Sequence, residues 1–317
     1  MRSPDVVAYR FVADDESAVE ITYAQLDARA RAVAARIMTA TGGRREPAFL
    51  LFAPGLDYLA GLFGCFYAGV PAVPAFPPDP ARLARTMPRL AAIIEDAGSD
   101  VVLTTSDIAP FVEDRLATAL GDRTPRTVAT DVVDVSEGAA STPLSRPDAP
   151  ALLQYTSGST SLPRGVMLTQ TQLVDNCREI ARGFGIHQDS SGGLWLPPYH
   201  DMGLIGGILT PLYSGIPVTL MSPVTFLRRP LSWLAMVSRY RSTIIGAPNF
   251  AYALCVRRAT DIDVSGLDLS GVSNSPSPAP SPCAPRRSPA SSNASDSAVS
   301  GPSRSTRATG SRRRRCS

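Results

Sequence analysis

Apolar residues recur at helical spacing in the stretch that follows Thr22. The sequence TYAQLDARARAVAARI spans residues 22–37, and its apolar positions, three or four residues apart, fall on one face of a helix. These positions are Leu26, Ala30, Val33, Ala34 and Ile37. The hydroxyl of Thr22 can accept a hydrogen bond from a free backbone N–H of the first turn. The pattern therefore predicts an amphipathic helix that begins after Thr22 and packs on a core.

Short apolar runs alternate with helical patterns further along the chain. Residues 49–52 and 70–76 are runs typical of strands, and the nearly all-apolar stretch 56–68 between them is long enough for a helix. A second helix is predicted over residues 82–97, and another strand over residues 101–105. This order of elements is typical of β-α-β units.

The helix predicted over residues 82–97 has a clear apolar face and a clear end. Its apolar face consists of Leu83, Met87, Leu90 and Ile94. Pro88 within the pattern indicates a kink or a split, because proline lacks the N–H that a helix interior needs. Gly98 is a typical residue for ending a helix.

Strand-like runs return at residues 152–155, 218–221 and 243–245, with helical patterns between them. Alternation of this kind predicts an α/β fold for residues 1–270, layered and with largely parallel sheets. The uncharged run at residues 204–221 approaches the length of a membrane-spanning helix. Prolines and glycines interrupt it, so we expect buried strands and turns there and no integral membrane segment.

The composition changes after Leu269. Residues 271–317 contain no Leu, Ile, Met, Phe, Tyr or Trp and consist mainly of Ser, Pro, Ala and Arg. All 31 basic side chains of the chain are arginines, and this segment holds eight of them against one acid, Asp296. It contributes +7 to a formal net charge of +3, which leaves −4 for residues 1–270. Such a segment cannot bury enough apolar surface to fold, so we predict a disordered tail.

Cysteine spacing and the N-terminal sequence suggest a compartment. The chain has 5 cysteines and no C-x-x-C pair, so neither a zinc site nor a disulfide framework is indicated. The first residues show no apolar stretch between a basic start and a small-residue cleavage site, so no signal peptide is predicted. We expect a cytoplasmic protein.

The strongest chemical signal lies where the predicted strand 152–155 runs into a polar loop. The backbone N–H groups and hydroxyls of this loop can surround a phosphate, and Arg164 adds a fixed positive charge. The residues concerned are Thr156, Ser157, Gly158, Ser159 and Thr160. A Ser/Gly linker is disfavoured because apolar runs flank the loop on both sides. The spacing matches neither the nucleotide P-loop, nor the dinucleotide-binding turn, nor a nucleophile elbow.

At residues 155–165 the sequence YTSGSTSLPRG resembles the signature loop of the adenylate-forming superfamily. Within that superfamily the chain is most similar to fatty acyl-AMP ligases. The similarity rests on FGCFYAGVPAVPAFPPDPARLARTMPRL at residues 63–90, LPPYHDMGLIGGIL at 196–209 and GAPNFAY at 246–252, and it extends over residues 5–270. The resemblance implies the N-terminal portion of an adenylation domain.

The resemblance also implies a reaction and its participants. A fatty acid carboxylate attacks the α-phosphorus of ATP with Mg²⁺, which gives an acyl-adenylate and pyrophosphate. The acyl group then passes to an acyl carrier protein or to a carrier domain of a polyketide synthase. Charge stabilisation is the main demand on the enzyme in such a reaction.

Site residues follow from the same resemblance. The loop, with Gly165 at its end, would hold the departing phosphates, and Arg164 and His200 would be catalytic. The substrate pocket would consist of His200, Gly203, Asn249 and Phe250. From the residues alone, Phe250 and Trp195 can equally be core aromatics. His200 and Asp201 could form a metal pair, but the only other histidine, His187, lies in a different segment, so no metal site is predicted.

Two motifs expected after Leu269 are missing as written. The superfamily continues with a Gly-Ala-Glu-Pro motif that holds adenine, a Tyr-Gly-x-x-Glu motif whose glutamate binds magnesium, and a C-terminal domain with a catalytic lysine. GC-rich codons for residues 278–285, read from the third base of codon 278, give GAEPVRA, and codons for residues 308–317, read likewise, give YGLAEATLL. The sequence therefore predicts that residues 271–317 are largely out of frame and that the chain is inactive as written.

Three other interpretations remain open from the sequence. A long-chain acyl-CoA ligase shares the first half-reaction and differs in the acceptor. A non-catalytic nucleotide-binding remnant would retain the loop without turnover. A weak nucleic-acid binder would use Arg312–Arg315. Such binding weakens with salt and does not depend on the nucleotide sequence, and no aromatic residue lies among these arginines to stack on bases. We therefore expect no specific nucleic acid partner.

Overall fold

The structure is a computed structural model that describes residues 3–76, 83–138, 146–155, 164–260 and 264–273. These residues form two β-sheets with helices packed on and between them. The predicted tail lies outside the described residues, apart from residues 271–273. Its disorder and the boundary at residue 270 stay predictions.

A six-stranded sheet contains most of the strands predicted from the sequence. Its order is β6-β5-β3-β4-β7-β8, and every neighbouring pair is parallel except the antiparallel pair β7–β8. The central strands are mostly apolar because helices cover both faces of the sheet. The strands are β3 (Ala48–Leu51), β4 (Ala72–Ala75), β5 (Val101–Thr104), β6 (Arg126–Ala129), β7 (Pro150–Tyr155) and β8 (Gly165–Thr169).

A four-stranded sheet has the order β2-β1-β10-β9 and is parallel except for β1–β2. Its strands are β1 (Val7–Val12), β2 (Ala18–Thr22), β9 (Gly192–Leu194) and β10 (Val218–Met221). The prediction of largely parallel sheets is thus confirmed. The strand predicted at residues 243–245 is reduced to one bridge between Ile244 and Gly192. Pro248, which has no N–H to extend a ladder, follows shortly and precedes the next helix.

The predicted helix after Thr22 is confirmed as α1 (Tyr23–Thr41). Thr22 and Gln25 form a capping box, and all five predicted face residues are buried. Helix α3 continues through Pro88, so the predicted split does not occur. The other helices are α2 (Leu56–Ala68), α3 (Leu83–Ala97), α4 (Ala109–Leu120), α5 (Gln170–Gly183), α7 (Pro223–Arg228), α8 (Leu231–Arg239) and α9 (Asn249–Ala259), with 3₁₀ turns at Gly121–Arg123 and Val135–Gly138.

The expectation of strands and turns at residues 204–221 is wrong for its first part. Met202–Leu209 forms a π-helix and Thr210–Ser214 forms α6, and only β10 is a strand. Side-chain hydroxyls satisfy carbonyls of the wide turn: Tyr9 donates to the Ile208 oxygen (2.9 Å) and Thr210 to the Ile205 oxygen (2.7 Å). Within the described ranges, none of the helices combines the length and hydrophobicity that crossing a membrane requires.

Three apolar clusters show how the layers stack. Residues of α3 and α4 cover one face of the six-stranded sheet. The other face packs on α1, α2 and the π-helix, which in turn contact the four-stranded sheet through Tyr9 and Val218. A third cluster around Trp195 and Trp233 joins that sheet to α7, α8 and α9. The helical layer between the sheets is therefore buried on both sides.

Candidate functional site

The predicted phosphate loop is the connection of the β7–β8 hairpin. Tyr155, the last residue of β7, pairs with Gly165, the first residue of β8. Residues Thr156, Ser157, Gly158, Ser159 and Thr160 lie outside the described part of the chain, so their contact with phosphate stays a prediction. The described hairpin nevertheless defines where the loop begins and ends.

Tyr155 anchors the start of this loop. Its hydroxyl donates a hydrogen bond to Oδ2 of Asp96 in α3 (2.6 Å). Burial and this hydrogen bond raise the pKa of Tyr155, so the phenol remains a donor at neutral pH. The sequence analysis did not identify Asp96, because its pairing with Tyr155 joins elements far apart in the chain.

Gly165 lies against the ring of Tyr155. A Cβ added at Gly165 would lie 2.9 Å from Cζ of Tyr155, closer than real Cβ contacts come. The glycine of the motif therefore lets the hairpin close against the tyrosine ring. Arg164 beside it is exposed and makes no ion pair with any residue that the structure describes. Its guanidinium is available to an anion held by the loop.

The segment that carries His200 lies at the same edge of the six-stranded sheet. Gln154 of β7 donates a hydrogen bond from Nε2 to the Tyr199 carbonyl (2.7 Å). The Tyr199 ring meets Phe76, which follows β4, with ring centroids 5.1 Å apart, and its centroid lies 4.9 Å from that of the His200 ring. His200 itself is exposed. Strands β4 and β7 are parallel, so both end at this edge, where α/β sheets commonly bind ligands.

An apolar cavity opens beside this segment. Both sheets contribute to it with residues at or after the carboxyl ends of their strands, namely Pro54 after β3, Leu194 at the end of β9 and Met221 at the end of β10. Pro198, two residues before His200, also lines the cavity, and Tyr58 of α2 donates a hydrogen bond to its carbonyl (2.7 Å). The cavity and the exposed histidine are thus joined by a short, anchored stretch of chain.

Glycines of the π-helix form one wall of the cavity. Gly203 and Gly207 both line it. A Cβ at Gly203 would lie 2.0 Å from the Pro197 carbonyl oxygen, so the helix can approach the 196–200 segment only with glycine there. Of the predicted pocket residues, only Gly203 lines this cavity.

Asn249 and Phe250 begin α9. The Phe250 ring is 53% exposed and lies 6.1 Å, between centroids, from the ring of Trp195. Trp195 is buried and stacks on Phe226 at 3.8 Å, which makes it a core residue. Phe250 therefore lies beside Trp195, at the start of the segment that leads to His200. The assignment of Asn249 and Phe250 to a substrate pocket stays a prediction.

Among the residues described, no group of three or more His, Cys, Asp or Glu side chains lies close enough to hold a metal ion. The described part of the site offers cationic and hydrogen-bonding groups.

The profile of the family described as AMP-binding enzyme matches residues 1–283. The chain belongs to this family. Among relatives of this AMP-binding chain, the medium-chain fatty acid–acyl carrier protein ligase JamA of Moorena producens (strain JHB) is 44% identical over 268 residues, which is 83% of this chain and 45% of the relative. The probable long-chain fatty acid–AMP ligase FadD30 of Mycobacterium tuberculosis is 37% identical over 80% of this chain and 44% of its own length.

Solved structures agree with the sequence relatives. The crystal structure of the fatty acid AMP ligase from Legionella pneumophila superposes with a TM-score of 0.76 at 37% identity, over 85% of this chain and 46% of that chain. A fatty acyl-adenylate ligase of the same organism, solved with acyl adenylate and pyrophosphate, gives a TM-score of 0.75 at 38% identity. The chain of this AMP-binding protein spans less than half the length of the relatives it matches.

Proposed function

We propose that this chain forms the N-terminal part of a site where a fatty acid is adenylated by ATP. A carboxylate oxygen attacks the α-phosphorus of ATP; the bond between that oxygen and phosphorus forms, and the bond from phosphorus to the pyrophosphate oxygen breaks. The observation that carries the proposal is the meeting of three features at one sheet edge. These are the Tyr155–Gly165 hairpin with the exposed Arg164, the exposed His200, and the apolar cavity.

The hairpin is suited to the departing pyrophosphate. Negative charge builds up on the phosphate oxygens as the bond to the α-phosphorus breaks, and a fixed guanidinium together with loop N–H groups stabilises that charge. Arg164 stands directly before β8 and is not committed to a carboxylate of the described residues. Magnesium, when bound, would neutralise further phosphate charge.

We propose that the alkyl chain of the substrate enters at this cavity, whose volume of about 20 Å³ is enough for about one water molecule, so its walls must move apart to admit the chain. Its walls include Phe11, Leu59, Leu194 and Ile208, and burial of methylene groups among such side chains is favourable by about 0.8 kcal/mol each. Pro198 closes the cavity two residues from His200. A chain seated there would place its carboxylate toward the Tyr199–His200 segment, where the imidazole can donate a hydrogen bond to it.

A carrier protein is the proposed acceptor of the acyl group. Relatives named as fatty acid–acyl carrier protein ligases support this choice over coenzyme A. Transfer of a radiolabelled acyl group to holo-acyl carrier protein, but not to coenzyme A, would distinguish the two.

We further propose that the 317-residue chain does not complete the reaction and that residues 278–317 are out of frame; the adenine and magnesium motifs expected there are missing as written. The test is acid-dependent ATP–pyrophosphate exchange with decanoate. We expect no exchange above background from this chain, and clear exchange from a gene in which the frame is restored before codon 278. Robust exchange by the 317-residue chain contradicts the proposed inactivity, and no exchange from the restored gene contradicts adenylation.

A further inference from the structure

Gln154 is a polar side chain buried in an otherwise apolar strand. It is the last residue but one of β7 and is 7% exposed. Its Nε2 donates to the Tyr199 carbonyl at 2.7 Å. Its Oε1 is buried and has no hydrogen-bond partner among the residues that the structure describes. An amide in this position needs an explanation, because buried polar atoms are nearly always paired.

Stability of the fold does not supply that explanation. An orphaned buried amide oxygen costs at least as much free energy as one neutral hydrogen bond returns. An apolar side chain of similar length would fill the same space without the orphaned oxygen. The amide is therefore suited to fixing the position of its partner, the Tyr199 carbonyl.

We infer that Gln154 is a positioning residue for the proposed adenylation site: its amide holds the segment 198–200 against the strand that enters the phosphate loop. This inference rests on the proposed function. Strand β7 belongs to the six-stranded sheet, whereas segment 198–200 continues from β9 of the four-stranded sheet. The hydrogen bond from Gln154 thus joins the phosphate side of the site to the side that carries His200.

Two other contacts hold the segment 198–200 beside the hydrogen bond from Gln154. Tyr58 fixes the Pro198 carbonyl from α2, and Phe76 meets the Tyr199 ring. The peptide unit between Tyr199 and His200 is held from both ends: its N–H donates to the Pro197 carbonyl within the same turn (3.2 Å), and its carbonyl accepts from Gln154. The hydrogen bond from Gln154 is the one that ties this peptide to β7, two residues before Thr156, and the His200 side chain follows directly from that peptide.

The test compares Gln154→Met with the parent 317-residue chain. We expect backbone amides of residues 199–204 to exchange with deuterium about tenfold faster in the variant, since local opening becomes easier by roughly one net hydrogen bond. The melting temperature should stay within a few degrees of the parent, and the dissociation constant for decanoate should rise by a similar factor. A purely structural role would instead lower the melting temperature and speed exchange throughout the core.

Thr127→Val is the matched control. Thr127 lies in β6 of the same sheet and also has a buried oxygen without a partner, but it is remote from residues 199–204 in the strand order. Removing its hydroxyl should change neither local exchange nor decanoate binding. Equal effects of the two substitutions would contradict the inference.

Gln154→Glu adds a pH-dependent readout. A protonated carboxyl can donate to the Tyr199 carbonyl, and an ionised one cannot. Protection of residues 199–204, corrected for intrinsic exchange, should therefore fall as pH rises in this variant and stay constant in the parent. Unchanged protection in both variants overturns the inference. If the parent chain does not bind decanoate, the proposed function is contradicted instead. The comparison of deuterium exchange at residues 199–204 still decides whether Gln154 holds the segment 198–200.

Discussion

At the scale of single residues, the site depends on side chains whose partners come from distant parts of the chain. Tyr155 donates a hydrogen bond to Asp96 of α3, and Gln154 donates one to the Tyr199 carbonyl. Gly165 leaves room for the Tyr155 ring, which lies against it. Arg164 differs from these, since it is exposed and unpaired among the described residues. An unpaired cation at the end of a phosphate loop is expected to act on the ligand rather than on the fold.

Arg164→Ala tests that expectation in the protein with the restored reading frame. We expect ATP–pyrophosphate exchange to fall by about a hundredfold, the size of effect seen when one preorganised charge-stabilising group is removed, with little change in unfolding free energy. Arg36→Ala is the control, because Arg36 is exposed on α1. If turnover of Arg164→Ala stayed within about twofold of the parent, less than half a kcal/mol of barrier, the assigned role would be wrong.

At the scale of elements, the π-helix determines the shape of the cavity. Met202–Leu209 lies between the sheets, and its wide turns are held by hydroxyls from Tyr9 and Thr210. Its glycines are not equivalent. A Cβ at Gly203 would meet the Pro197 backbone at 2.0 Å, whereas one at Gly206 would meet nothing within 4 Å. Close approach to segment 196–200 therefore requires glycine at one position only.

Gly203→Ala and Gly206→Ala form a matched pair in this helix. We expect Gly203→Ala to lower the free energy of unfolding by about 3 kcal/mol or more, because a rigid backbone atom blocks the added methyl group. Gly206→Ala should change it by about 1 kcal/mol at most. Urea denaturation followed by tryptophan fluorescence measures both. Similar losses for the two variants would mean that the close packing at Pro197 is not present in solution.

At the scale of the whole molecule, two largely parallel sheets bring carboxyl ends of their strands to one cavity. Residues after β3 meet residues of β9 and β10 there, with a helical layer buried between the sheets. Residues 271–317 hold +7 of formal charge against −4 for residues 1–270. The explanation predicted from the sequence is that this segment is coding sequence read out of frame.

The gene sequence tests this explanation directly. We expect codons 278–317, read from the third base of codon 278, to spell Gly-Ala-Glu-Pro near the start and Tyr-Gly-x-x-Glu near codon 308. With GC-rich codons, both motifs arise in one frame and in the order that the family resemblance implies. A stop codon in that frame, or neither motif, would mean that the Ser/Pro/Arg segment is genuine protein with a role of its own.

Local patterns in the sequence were sufficient for much of the fold. Periodicity and capping predicted α1, because an amphipathic face and a Thr22 cap are properties of neighbouring residues. Apolar runs located β3, α2, α3 and β5 in the same way. The resemblance at residues 155–165 identified the family that the comparison then confirmed.

Tertiary structure alone decided the rest. The run at residues 204–221 is uncharged and largely apolar, so periodicity could not separate a π-helix from strands. In the fold, the hydroxyl of Tyr9 from β1 donates to the Ile208 carbonyl, and that of Thr210, within the run, donates to the Ile205 carbonyl. The run at residues 243–245 has the composition of a strand. At the edge of the four-stranded sheet it forms only one bridge, between Ile244 and Gly192. Gln154, Asp96 and Gly207 gained their roles from packing between elements, since a sequence records which residues are present but not which distant groups they meet.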